Sequence, residues 1–264
     1  MAYKTLLVDI KNDVLTLTLN RPAALNSFTL EMHAELKDVI AKLAKGELAA
    51  RALLITGAGR GFCAGQDLSD GINLKEGQLP DLGLVVEQCY NPLIKAIRAL
   101  PLPVIAAVNG PAAGAGMSLA MACDLIYAAR SASFLQAFVN IALVPDAGSS
   151  YFLPRLVGPI RAARMALLGE KIGAEEAERW GLVTKVMDDD KLMAETTAVA
   201  EKLAKGPTAA IALIRQQLHA SETNSLAEQL DLECANQRAA GQGRDFIEGV
   251  TAFMEKRPAK FSGR

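Results

Sequence analysis

The chain has little with which to bind a metal, cross a bilayer or grip a polyanion. Its 264 residues include only two histidines, His33 and His219, and four scattered cysteines, Cys63, Cys89, Cys123 and Cys234, with no C-x-x-C pair. Metal centres and redox dithiols need clustered ligands, so this scarcity argues against both, and the cysteines read as reduced and buried. With 5% aromatic residues, a net charge of -1 and a pI of 6.2, there is no basic stripe with interleaved aromatics of the kind that holds nucleic acid. No run approaches the roughly 18 apolar residues of a membrane span, and the opening Met-Ala-Tyr-Lys-Thr lacks the parts of a secretion signal. The expectation is a cytoplasmic globular protein with neither nucleic-acid nor membrane partners.

What is present is a large apolar fraction, 51% of residues, in two successive patterns. Residues 3 to 10 and 13 to 20 read as a hairpin, with Leu15, Leu17 and Leu19 alternating with Thr16 and Thr18. Thr29 reads as the N-cap of an amphipathic helix ending before Gly46, and Ala52 to Thr56 as a strand. A helix from about Leu84 to Leu100, a strand Val104 to Val108, a small-residue helix Ala115 to Ala122 and a strand Leu125 to Ala128 follow. Beyond Gly148 the pattern is mostly helical, with a short strand in Gly181-Leu-Val-Thr-Lys-Val and helices over 190 to 256 broken at Gly206-Pro207, Thr223-Asn224 and Gly241 to Gly243. This order predicts an α/β core followed by a helical extension.

Two glycine-rich turns each follow a strand-like run, Gly61-Phe-Cys-Ala-Gly-Gln-Asp-Leu68 and Asn109-Gly-Pro-Ala-Ala-Gly-Ala-Gly116. Turns of this kind leave backbone N–H groups free at strand ends, where two can converge on one carbonyl oxygen and stabilise an enolate. The plainer reading is that small residues only allow tight connections and close helix packing. Gly57-Ala-Gly-Arg-Gly61 does not read as a nucleotide loop, because it lacks the Lys-Ser/Thr ending of a P-loop and the spacing of a dinucleotide fingerprint.

Taken in order, Leu19-Asn-Arg-Pro22 with Asn26, the two glycine turns, Cys123-Asp124 and Leu143-Val-Pro-Asp-Ala-Gly148 resemble the crotonase, or enoyl-CoA hydratase/isomerase, superfamily along essentially the whole chain. The resemblance implies a crotonase-like spiral of ββα units over residues 1–200, a C-terminal helical trimerisation region over 201–264, acyl-CoA thioester substrates, no cofactor beyond the substrate's own CoA, and a homotrimer or dimer of trimers. It places the oxyanion donors at the N–H groups of Gln66 and Ala115. It puts the CoA moiety against Ala24 and against Ala64, Gly65, Gln66, Asp67 and Leu68, and turns Phe138 into the pocket. Asp67 and Asp70 also read as plain caps of neighbouring backbone, and Asp124, His33 and His219 as structural. Phe134, Tyr151 and Phe152 could line an acyl pocket suited to a ring substrate, but aromatic residues beside an apolar run read first as plain core.

Departures from the family pattern are as informative as matches. Its hydratases carry glutamates at the positions of Ser118 and Phe138, and neither residue here can hold and protonate water as a carboxylate does. Asp146 stands where the isomerase branches place their acid/base. The adjacent Ile141-Ala-Leu-Val-Pro run predicts a desolvated carboxylate of raised pKa, although Asp146 could instead cap a helix. Pro80-Asp-Leu-Gly83, Tyr90-Asn-Pro92, Ala128-Ala-Arg-Ser-Ala132, Glu222-Thr-Asn224 and Gln229-Leu-Asp-Leu-Glu233 with Gln237-Arg238 are similar to the branch that converts a ring-epoxide phenylacetyl thioester to an oxepin. Double-bond migration from the 3 to the 2 position of an enoyl thioester needs the same groups and is the alternative. A non-catalytic or RNA-binding relative is the reading from another class, against which the acidic pI speaks.

Overall fold

The first two apolar runs pair in register as the antiparallel strands β1 (Leu6–Lys11) and β2 (Val14–Leu19) of a computed structural model that describes residues 3–70 and 81–263. Met1, Ala2 and Pro80, which figured in the sequence reading, lie outside the described residues. Asn12 and Asp13 turn the hairpin with φ of 51° and 61°, the left-handed pair that matches the twist of two-residue hairpins. After a 3-10 turn at Pro22–Ala24, Thr29 caps α1 (Leu30–Ala44) by accepting the Met32 N–H, and Met32, Leu36, Val39, Ile40 and Leu43 form its buried face.

β3 (Ala52–Gly57) is buried throughout and runs parallel to β2. The predicted helix before the next strand is three segments in sequence: α2 (Leu82–Val85), a π-helical turn at Val86–Tyr90 and α3 (Asn91–Ala99). β4 (Val104–Val108) then extends the parallel sheet, and β5 (Pro111–Ala113) leads through Gly114 into α4 (Ala115–Met121), every residue of which is buried. β6 (Leu125–Ala129) joins the main sheet, and β7 (Ser133–Leu135) pairs with β5. α5 (Ser149–Val157), α6 (Pro159–Leu168), β8 (Lys171–Gly173), α7 (Ala174–Trp180), β9 (Lys185–Met187) and α8 (Leu192–Ala204) complete the core.

The main sheet has the order β1-β2-β3-β4-β6-β9, and a small second sheet has the order β5-β7-β8. The second sheet is absent from the sequence reading: its strands are three residues long and include Pro111 and Ala112-Ala113, which carry no alternating signal. The strand expected from Gly181 begins instead at Lys185, because Gly181 takes φ 87° to end α7.

Three further helices, α9 (Thr208–Ala220), α10 (Leu226–Gly241) and α11 (Arg244–Met254), form the extension, with breaks where the sequence put them. Buried Arg215 on α9 donates to Asp124 Oδ2 at 2.6 Å and to Leu100 O, while Asp124 also accepts the Val104 N–H at 2.7 Å and lies 3.4 Å from His219 Nε2. Burial works against ionisation of Asp124, but the His219 hydrogen bond, the Arg215 charge and the Val104 N–H together hold its pKa below the ordinary value. Arg51 reaches Gly206 O at 2.7 Å, and Asp245 accepts the N–H groups of Ser262 and Gly263 at 2.7 and 2.8 Å.

Where α4 crosses the first glycine turn there is no space for a methyl group, since a Cβ on Gly116 would overlap the carbonyl of Cys63. Gly116→Ala should therefore lower unfolding stability by about 1 to 3 kcal/mol through overpacking. Urea denaturation tests this, and an unchanged midpoint would mean that α4 can withdraw from the turn without cost.

Candidate active site

A trans peptide carries its C=O and N–H on opposite sides, so whatever holds the oxygen aims the hydrogen. Phe28 N–H donates to Gly65 O at 2.8 Å, and Asp67 N–H returns to Phe28 O at 2.9 Å. The Gln66 N–H shares its peptide with Gly65 O and so points away from Phe28, on the side where Gly65 and Gln66 line a cavity of about 300 Å³. In the second turn, Gly114 O accepts the Ser118 N–H at 3.0 Å and Ser118 Oγ at 3.2 Å. The Ala115 N–H, in the same peptide, thus points out of the start of α4, and Ala115 lines the same cavity. Neither N–H has an acceptor among the described residues.

The two turns lie side by side because a strand-like bridge joins them: Cys63 N–H donates to Pro111 O at 3.1 Å and Ala113 N–H to Cys63 O at 2.9 Å. A Cβ on Gly65 would stand 3.0 Å from Ala113 O and 3.5 Å from Ala115 N, which makes the two donor peptides close neighbours. Gly114 has φ 49° and ψ -126°, a backbone that favours glycine strongly. The turns therefore do more than connect elements: they set two unpaired donors side by side.

Asp146 faces the same space. Its carboxylate caps no helix, since α5 starts after Gly148 with no side-chain cap; only the Asp146 carbonyl is engaged, by Ser149 N–H at 2.9 Å and Ser118 Oγ at 3.2 Å. Asp146 Oδ1 is buried without a hydrogen-bond partner, and burial pushes the pKa of the group up from 3.8 to about 6. Asp70 also touches the cavity, but its carboxylate is committed to the Leu30 N–H at 2.7 Å, the capping role read from sequence. Leu82, Val85, Val86, Ile141 and Leu143 supply an apolar wall.

Of the residues named from sequence, Ala64, Gly65, Gln66, Leu68, Ala115, Phe138 and Asp146 line this one cavity. Ala24 sits in the 3-10 turn outside the lining, and Asp67 directs its carboxylate to Ser69 Oγ at 2.6 Å and Arg21 at 2.8 Å. Those two partners, Ser69 foremost, hold Asp67 down at about 2. Phe134 is core, and Phe152 packs with Tyr151 and under Arg98. His33 stacks on Phe28, 5.0 Å between ring centroids, and burial lowers its pKa to about 4.

Sequence reasoning missed Tyr90, a 2% exposed residue that lines the cavity and donates to Gln66 Oε1 at 2.6 Å. Its only signal was membership of the Tyr90-Asn-Pro92 motif, because nothing in the sequence marks the π-turn that presents it. Among the described residues there is no cluster of three or more potential metal ligands and no helix long and apolar enough to cross a membrane.

Residues 9–264 match the family model described as Enoyl-CoA hydratase/isomerase. The chain is 48% identical over 259 residues to the 1,2-epoxyphenylacetyl-CoA isomerase of Escherichia coli (strain K12), covering 98% of each chain. It is also 48% identical over 264 residues to a Rhodobacter capsulatus protein named "Probable enoyl-CoA hydratase", covering all of both. The crystal structure of an enoyl-CoA hydratase from Bacillus anthracis superposes with a TM-score of 0.92 at 32% identity, over 99% of this chain and 100% of that one.

The raised pKa of Asp146 has a stability consequence of definite sign. The unfolded chain releases this proton near 3.9 and the folded chain near 6, so the folded state is penalised as pH rises through that interval and fully penalised above it. Asp146→Asn should be more stable than the parent at pH 7.5 by about 1 kcal/mol after allowing for solvent screening, and so melt at higher temperature, with no difference near pH 3.5. Calorimetry at the two pH values measures this, and a destabilised variant at pH 7.5 would refute the unpaired, desolvated carboxylate.

Proposed function

As this chain belongs to the enoyl-CoA hydratase/isomerase family, we propose that it is an acyl-CoA isomerase that converts 1,2-epoxyphenylacetyl-CoA to the seven-membered oxepin thioester. The observation that carries this reading is Asp146, a half-buried carboxylate whose Oδ1 is buried without a partner, in one cavity with two unpaired N–H donors. The thioester oxygen accepts from Gln66 N–H and Ala115 N–H, which acidifies the neighbouring C–H. Asp146 takes that proton and the enolate charge rests on the oxygen; the C–C bond shared by the epoxide and the six-membered ring then breaks with both C–O bonds kept, and the same carboxylic acid returns the proton to a ring carbon, so the product is an isomer of the substrate. A carboxyl group with a pKa of about 6 suits both halves of this exchange near neutral pH.

Water addition asks for a second group to hold and protonate the water. Ser118 gives its hydroxyl to the Gly114 and Asp146 carbonyls, and Phe138, 8% exposed, has no polar atom in its side chain. A 3-enoyl to 2-enoyl shift uses only the groups present, and it is the second reading this site supports. The helical extension exposes Phe253 (86%) and Met254 (77%), and this apolar face supports assembly as a homotrimer or dimer of trimers.

With 3-enoyl-CoA and 2-enoyl-CoA in separate assays, double-bond migration without hydration is the expected result, and rapid hydration would overturn the single-carboxylate reading. Turnover should rise with pH through about 6, and Asp146→Asn should lower kcat by about a thousandfold while acyl-CoA binding persists. Phe253→Asp should shift the native mass from trimer or hexamer toward monomer in light scattering, whereas an unchanged mass would exclude this face from the interface.

A further inference from the structure

Behind the Gln66 donor lies a group of three rings that the mechanism above leaves unused. Phe28 and His33 are stacked, and Tyr90 stands edge-on to both, with centroids 5.5 Å from Phe28 and 4.4 Å from His33 at interplanar angles of 87°. All three are buried. Both His33 nitrogens lack a hydrogen-bond partner among the described residues, so His33 is held by ring packing and not by a polar contact. The one hydrogen bond from a ring substituent to the site is that of Tyr90 Oη to Gln66 Oε1, at 2.6 Å.

The backbone at Gln66 gives that bond something to do. Gly65, at φ 93°, is a soft joint on one side of the donor, and the donor peptide is held only at its oxygen, by Phe28. A peptide held at one atom can still rock about its Cα–Cα axis and swing its N–H. On the other side Gln66 is restrained through its side chain, with Nε2 directed to Asp67 O at 3.4 Å and Oε1 held by Tyr90. The π-turn at Val86–Tyr90 aims Tyr90 inward from the segment whose Val85 and Val86 form the acyl wall. The hydroxyl stays a neutral donor, because burial and the nearby Asp146 charge both push its pKa up.

Resting on the enolate reading given above, we propose that Tyr90 is a positioning residue: through Gln66 Oε1 it fixes the direction of the Gln66 N–H and so joins the acyl wall to the oxyanion donor. It touches neither the migrating proton nor the thioester oxygen. Its removal should therefore weaken transition-state stabilisation more than substrate binding.

Tyr90→Phe keeps the ring packing and removes only the hydroxyl. Four readouts apply to it, to Gln66→Leu and to the double variant. In the protein without ligand, amide hydrogen exchange of the 62–70 segment should accelerate about tenfold in Tyr90→Phe, as expected for loss of one hydrogen bond. The red shift in absorbance of bound cinnamoyl-CoA, which reads polarisation of the thioester carbonyl, should shrink by about half; kcat should fall about tenfold with KM within about twofold. The double variant should lose no more than the worse single variant, because both remove the same link. Unchanged exchange and an unchanged red shift in Tyr90→Phe would overturn the proposal, as would losses that simply multiply in the double variant. Should the parent protein itself fail to polarise cinnamoyl-CoA, the enolate reading falls, while hydrogen exchange still decides whether Tyr90 fixes Gln66.

Discussion

Two carbonyl oxygens govern the site. Gly65 O is held by the Phe28 N–H, and Gly114 O by the N–H and hydroxyl of Ser118; because each peptide is rigid, these bonds on one side aim the donors on the other. The bridge between Cys63 and Ala112 then sets the separation of the two peptides, and the missing side chains of Gly65 and Gly116 let the turns approach to that separation. The long parallel sheet and α4 serve this arrangement by bringing strand ends some fifty residues apart in sequence into contact.

Preorganised dipoles are useful because they do not have to move when charge appears. Asp146 complements them by the opposite device, an absence of dipoles: no donor meets Oδ1, so the carboxylate is left basic in an apolar surround. Asp67, within the first turn, and Asp70, just after it, are the contrast. Asp67 accepts from Ser69 and Arg21 and so holds the loop, and Asp70 accepts the Leu30 N–H at the start of α1. Three carboxylates of one chemical type thus differ through burial and hydrogen-bond partners: two hold backbone or side-chain donors, and the Oδ1 of the third meets none.

Much of this was legible beforehand. The leucine-threonine alternation of the hairpin, the Thr29 cap and the breaks at Gly206-Pro207 are local signals, and the structure follows them. Asp146 and the two turns could be named because the motif order is distinctive, although only the structure separates a cap from an unpaired carboxylate. The small sheet of β5, β7 and β8 was illegible for a physical reason: three residues are too few to show an alternating pattern, and Pro-Ala-Ala, Ser-Phe-Leu and Lys-Ile-Gly are held as strands by their pairing partners. The same holds for Tyr90, whose position depends on one extra residue in a helical turn. The pairing of Arg215 with Asp124, 91 residues earlier, leaves no trace in either local sequence.

That pairing bears on how the molecule is made. Asp124 lies half-buried between α4 and β6, yet its cation arrives on α9, long after the central strands have left the ribosome. Until then a nascent chain must either keep this carboxylate wet or bury it unpaired, and an unpaired buried charge is costly. Translation of α9 is therefore the step at which this carboxylate gains its cation, and until then the Val104 N–H is the partner already made.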